Sequence, residues 1–235
     1  MIKRSQLSMA NSESPEYNVV ATEAGAQTPF MLRFIFSLFS YVFHPLFIPA
    51  YTTLFLLYIH PSYFTGYDTF NKSWLPIRVL YGSVFLPAFT VFLLKQLKFI
   101  DSVFLKTQKD RIIPYVACGI YFFWLYLVCR NDSNLPTIMT SFMLGVFLAA
   151  SAALIANIYF KISMHAIGMG GILGLFLLIM QQNTMLMTWP LCLAFLTAGI
   201  VCTSRMIVSD HRPKEVYTGL ILGIVSQFIG AVIQL

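Results

Sequence analysis

The chain has 235 residues, 58% of them hydrophobic and only 10% charged, where a soluble domain carries about a quarter charged residues. With a mean hydropathy of +0.75 and apolar residues gathered in long blocks, it is not an ordinary soluble domain; an all-α, polytopic transmembrane helical bundle of six or seven spans is expected. The net charge of +6 does not point to nucleic acid, because no basic run interleaves with aromatics in a polar region; lysines and arginines at span ends facing lipid headgroups account for it.

In chain order, residues 1–29 read as a polar tail that is expected to be disordered. After Lys3 and Arg4 it has no apolar core of the kind a signal peptide needs. Residues 30–235 form the membrane domain, with no repeat and no second domain. Its first apolar segment, 30–59, is interrupted by His44-Pro45 and Pro49. Residues 31–43 are expected along the membrane interface, with Pro45 opening the true span. Six more segments follow at 76–97, 112–128, 136–160, 165–180, 185–202 and 216–235. Several begin at a proline, which suits a first helical position. Gln181-Gln182-Asn183 reads as a turn. The Gly168-x-Gly170-Gly171-x2-Gly174 run sits in a membrane helix with no strand before it, so it reads as close helix packing and not as a dinucleotide loop. Cys118, Cys129, Cys192 and Cys202 fit no zinc spacing and read as small buried hydrophobes. His44 and His60 each precede a proline at a segment edge, and an interfacial placement is expected for both.

Three polar islands separate the spans, at 98–111, 161–165 and 204–215. Two spans lie between successive islands, so all three return to one membrane face and can converge on one site. The third island carries the strongest chemistry. Ser204-Arg205, then five residues, His211, three residues and Glu215 place a phosphate-binding guanidinium, a nucleophile and its orienting carboxylate within twelve residues. If the segment after Asp210 is helical, His211 and Glu215 share one face. The carboxylate then holds one imidazole nitrogen and leaves the other to attack.

The islands resemble the three signature motifs of the type 2 phosphatidic acid phosphatase superfamily, which includes membrane lipid phosphatases. That family reads Lys-x6-Arg-Pro, Pro-Ser-Gly-His and Ser-Arg-x5-His-x3-Asp. Here Ser204, Arg205 and His211 fall on family positions, and Glu215 stands where the family has Asp. Ile162-Ser163-Met164-His165 keeps the serine and histidine without the proline and glycine. Arg111 precedes Pro114 by three residues, and Lys106 precedes Arg111 by five where the family has seven; Lys109 is the alternative lysine.

The resemblance implies two-step phosphoryl transfer. His211 would attack phosphorus, oriented by Glu215, and His165 would protonate the leaving oxygen. Arg111, Arg205, Ser163, Ser204 and Lys106 would bind the phosphate. Neither metal nor cofactor is expected, because the islands lack the several carboxylates a magnesium site wants. The partners are then a lipid phosphate substrate and membrane lipids, with the oligomeric state open. Substrates in range are phosphatidic acid, phosphatidylglycerophosphate, a phosphatidylinositol phosphate or undecaprenyl diphosphate. The same site in a lipid phosphotransferase, or a non-catalytic transporter or lipid-binding relative, are the alternatives. A bacterial inner membrane is expected, with the face of the site open: the resemblance implies a site facing away from the cytoplasm, while the lysine and arginine excess on the island side leans towards it.

Overall fold

The computed structural model describes residues 29–100, 108–182, 186–209 and 211–234. Residues 1–28 of the tail expected to be disordered, Lys106 and Asn183 lie outside them. Within the described residues the chain is helical, with no strand: α1 (Phe30–Val42), α2 (Ile48–Leu54), α3 (Thr69–Leu80), α4 (Leu86–Gln96), α5 (Gln108–Asn131), α6 (Thr137–Tyr159), α7 (Met164–Gln182), α8 (Thr188–Val208) and α9 (Pro213–Gln234). Seven helical stretches are long and apolar enough to cross a membrane: Phe30–Ile59, Thr69–Gln96, Asp110–Asn131, Thr137–Tyr159, Met164–Gln182, Thr188–Val208 and Pro213–Gln234. The chain is thus an all-α, multi-pass bundle with large apolar side chains on its outside, among them Phe89, Ile120, Ile158, Leu196 and Val232.

Two stretches run through discontinuities that their prolines explain. The first breaks at Phe43-His44, where Pro45 opens a short 3-10 turn, Pro45–Phe47. The second starts earlier than expected, because the Asp68 side chain accepts the Asn71 N–H and caps α3; Pro76 lies inside the helix and does not begin it. A wide π turn, Tyr81–Phe85, joins α3 to α4. Pro87 in the first turn of α4 cannot donate to the preceding turn and its ring crowds the Ser83 carbonyl, which opens the helix there. Gln181 and Gln182 continue α7 and do not turn. Cys129 and Cys202 are buried as expected, whereas Cys192 is exposed, facing outwards from α8.

Helices α6 and α7 are the most buried spans and carry the centre of the core, with Met139, Phe142 and Met143 on α6 and Leu173, Leu175 and Ile179 on α7. Helix α9 packs between them, and glycines set how closely. A Cβ at Gly170 would sit 2.1 Å from the Leu220 carbonyl oxygen, and one at Gly223 would sit 2.2 Å from that of Ile167. One at Gly219 would meet the Ser163 carbonyl at 2.9 Å. The paired positions ascend together along both helices, so α7 and α9 run parallel, backbone against backbone, as close packing of small residues in apolar surroundings allows. This is the role expected of the glycine-rich run. Gly223→Ala is therefore expected to destabilise the bundle by about 1–3 kcal/mol, read as a lower melting temperature of the detergent-solubilised protein. An unchanged melting temperature would show that the two backbones separate at no cost.

Candidate active site

Each island is positioned by a helix end. Ser204 and Arg205 lie in the last turns of α8, one turn further along that helix than the apolar run suggested. Ser209 then donates its hydroxyl to the Arg205 carbonyl, the chain turns, and Pro213 starts α9 at its first helical position. His211 therefore precedes the helix, and it does not reach Glu215 by sharing a helical face. Glu215 instead sits at the third helical position and reaches back, accepting the Arg212 N–H (3.3 Å) as one half of a capping box. The same oxygen, Oε2, accepts from His211 Nδ1 at 2.8 Å. The expected pair exists, and its geometry is that of a helix cap.

That bond fixes the tautomer. A carboxylate accepts, so Nδ1 carries the proton and Nε2 of a neutral His211 keeps its lone pair. Burial holds the His211 pKa below its ordinary 6.5; the hydrogen bond and charge of Glu215 oppose this, while Arg205 and Arg111 add to it. His211 is thus neutral at pH 7. As pH falls it keeps its lone pair past 6.5 and loses it only below that value. Glu215→Gln removes the charge that raises this pKa and weakens the hydrogen bond that does so, so the acid limb of activity is expected to move to lower pH than in the wild type. A pH–rate profile of the two proteins checks this; an acid limb that stays put or moves up would contradict it.

Helix α7 begins at Met164, so His165 stands in its first turn. His165 Nε2 donates to the Ser40 carbonyl at 3.0 Å, which leaves Nδ1 for other partners. The bond ties α7 to α1, and α1 is tied to α8 as well. The Ser204 hydroxyl donates to the Phe36 carbonyl at 2.7 Å, and with its single proton used there it accepts from the Ser40 hydroxyl, also at 2.7 Å. Helix α1 is therefore docked on the bundle by its Ser40 edge. Its opposite face, with Phe30, Phe34 and Leu38, is exposed.

These ends enclose a cavity of about 290 Å³, lined by Ser37, Ser40, Tyr41, His44, Arg111, Tyr115, Met164, His165, Arg205, Val208 and His211. Sites for small ligands run from about 300 to 1,000 Å³, so this one suits a headgroup and not a whole lipid. Two guanidiniums and three imidazoles line it, and none of the described lining residues is a carboxylate. Arg111, in the first turn of α5, donates Nη1 to the Ile162 carbonyl at 3.3 Å. The Nε of Arg205 is buried with no hydrogen-bond partner among the described residues. Two guanidiniums on a lining without a carboxylate make a site for an anion.

The structure thus brings together His211, Glu215, His165, Arg111 and Arg205. It does not bring every expected residue to the cavity. Ser204 is consumed in the tie to α1. Ser163 is fully buried away from the lining, its hydroxyl without a partner among the described residues, while its backbone N–H reaches the Glu215 carbonyl at 3.4 Å. Lys106 lies outside the described residues, as does the side chain of Lys109. His44, expected at the interface, instead lines the cavity, its ring centroid 5.2 Å from that of His165. The signal for it was present: Ser37, Ser40, Tyr41 and His44 recur at helical spacing through an otherwise apolar segment.

No family model, curated protein or solved structure matches this chain.

Proposed function

We propose that this chain is an integral-membrane lipid phosphate phosphatase that works through a phosphohistidine on His211. The observation that carries this reading is the His211–Glu215 pair at 2.8 Å on the wall of a cavity that also holds Arg205, Arg111 and His165. The motif resemblance to type 2 phosphatidic acid phosphatases supports it independently of the geometry.

In this mechanism Nε2 of His211 attacks phosphorus, forming an N–P bond as the P–O bond to the lipid breaks. His165, protonated, gives the leaving oxygen its proton from Nδ1, since Nε2 is held by the Ser40 carbonyl. Water then attacks the phosphohistidine and gives up a proton to His165. The N–P bond breaks, and inorganic phosphate leaves with His211 restored. Arg205 and Arg111 neutralise charge on the transferring phosphoryl oxygens, the main demand of this chemistry. The apolar outside of the bundle keeps the protein where a lipid substrate is.

The test is phosphate release by the purified, detergent-solubilised protein from phosphatidic acid, phosphatidylglycerophosphate, a phosphatidylinositol phosphate and undecaprenyl diphosphate. Release from one of them establishes the activity and its substrate class together. Phosphate that appears on an added lipid acceptor and not in solution would make the protein a phosphotransferase; no turnover of any substrate by a well-folded protein would overturn the reading.

We further propose that the cavity faces the cytoplasm of a bacterial inner membrane. The cavity end of the bundle carries Lys95, Lys98, Arg111, Lys161, Arg205, Arg212 and Lys214, against Lys72, Arg78 and Arg130 at the other. Helix α9 leads away from the cavity, so a reporter fused after Leu235 should read as external; a cytoplasmic reading there would reverse the orientation.

A further inference from the structure

We propose that His44 is a substrate-binding residue of this site, donating its Nε2–H to an oxygen of a phosphoryl group bound in the cavity that His211 and Arg205 also line. The inference rests on the anion-binding part of the reading above, and nothing in the signature motifs includes this histidine.

The argument begins with the backbone. The first apolar segment cannot remain one helix across Pro45, so α1 ends at Val42 and a new turn begins. His44 caps that turn, its Nδ1 accepting the Leu46 N–H at 3.4 Å. A nitrogen that accepts has no proton, so a neutral His44 carries its proton on Nε2. The ring is thereby held as a donor whose donating end is the one left for the cavity. It need not be charged to serve.

Neighbouring contacts keep the ring in place. It stands edge-on to His165, at 84° and 5.2 Å between centroids, and also edge-on to Phe47. Ser40, one helical turn earlier, holds His165 through its carbonyl. The end of α1 thus sets both imidazoles on the cavity that Arg205 and His211 also line. The two guanidiniums on the lining, with no carboxylate among the described lining residues, are the second sign, independent of His44, that an anion belongs there. The oxygens of a phosphoryl group there have more lone pairs than two guanidiniums fill, and a neutral N–H donor suits one of them.

Two substitutions separate this role from capping. In His44→Asn the side-chain oxygen can still cap the Leu46 N–H, as asparagine does at helix starts, but no donor reaches the position of Nε2. In His44→Gln the terminal amide nitrogen reaches about where Nε2 was. Binding of inorganic phosphate and of orthovanadate is measured by calorimetry on the full-length protein in detergent, with melting temperatures alongside. Binding by His44→Asn should weaken on the order of tenfold or more, the worth of a hydrogen bond to a charged group, at an unchanged melting temperature. His44→Gln should bind like the wild type. Wild-type affinity in His44→Asn would show that His44 only caps the turn. Equal losses in both would show that the ring matters and not its distal N–H, and would equally overturn the assignment. If the wild type itself binds neither anion, the phosphate site fails, and this inference with it. If the wild type binds both but hydrolyses nothing, the phosphatase reading fails while the role of His44 stands.

Discussion

Alanine at His211 is expected to lower phosphate release by at least about 10⁴-fold, the scale on which removing a catalytic nucleophile is felt. The melting temperature should scarcely move. His211 contributes one side-chain hydrogen bond, and Glu215 keeps its other partner, the Arg212 N–H; a single such bond is worth about 1 kcal/mol. The sharper half of the prediction is the intermediate. Rapid quenching of the wild type during turnover should leave phosphorus on His211, found by mass spectrometry of the quenched peptide. His211→Ala should leave none, and no label should move to His165, which serves in this mechanism as acid and base and not as nucleophile. Turnover like the wild type in His211→Ala, or label on His165, would remove the mechanism.

Arg205 carries the second large effect, and here activity and stability should part company. Arg205→Met is expected to cost about 10²–10³-fold in turnover, as loss of one preorganised charge in a water-poor site does. Lysine should restore little of it, because an ammonium cannot present the planar fork of a guanidinium to two phosphoryl oxygens. Yet Arg205 is a largely buried cation whose Nε has no partner among the described residues and for which no ion pair is found among them. Such a charge burdens the fold, and replacing it with an apolar side chain of similar length should raise the melting temperature. Thermal unfolding and phosphate release on the same preparations decide this. If Arg205→Met melts well below the wild type, the guanidinium is structural and the site has been misread.

The hydropathy pattern made the bundle legible, since blocks of apolar residues near bilayer length leave few folds open. What it missed were boundaries, for local reasons. The Asp68 cap starts α3 before the apolar run begins, and α8 continues through Ser204 and Arg205 because helix geometry is indifferent to where hydropathy falls. The site was legible where the motif is local: His211 and Glu215 are four residues apart and had to meet somehow. That they meet through a capping box and not along a shared face follows from Pro213, which fixes where α9 starts. Ser204 shows the opposite case. Its residue type and spacing suit a phosphate contact, but α1 approaches and takes its hydroxyl, an event 164 positions away in sequence. His44 was missed because a histidine before a proline has an ordinary interfacial explanation. Only the recurrence of Ser37, Ser40 and Tyr41 at helical spacing argues otherwise.

The parallel α7–α9 pairing bears on how variants of this protein are to be interpreted. His165 rides on α7, and His211, just before α9, is held by Glu215 in its first turn, so the gap between nucleophile and acid follows the spacing of the helix pair. Gly170 and Gly223 lie more than a turn below the cavity and are not on its lining, yet their missing side chains are what fix that dimension. Side chains added there would act as shims, moving two intact imidazoles out of reach of one phosphorus atom. Such a protein would keep every residue of its chemistry and its affinity for phosphate. It would fail only in the step that requires both histidines at once.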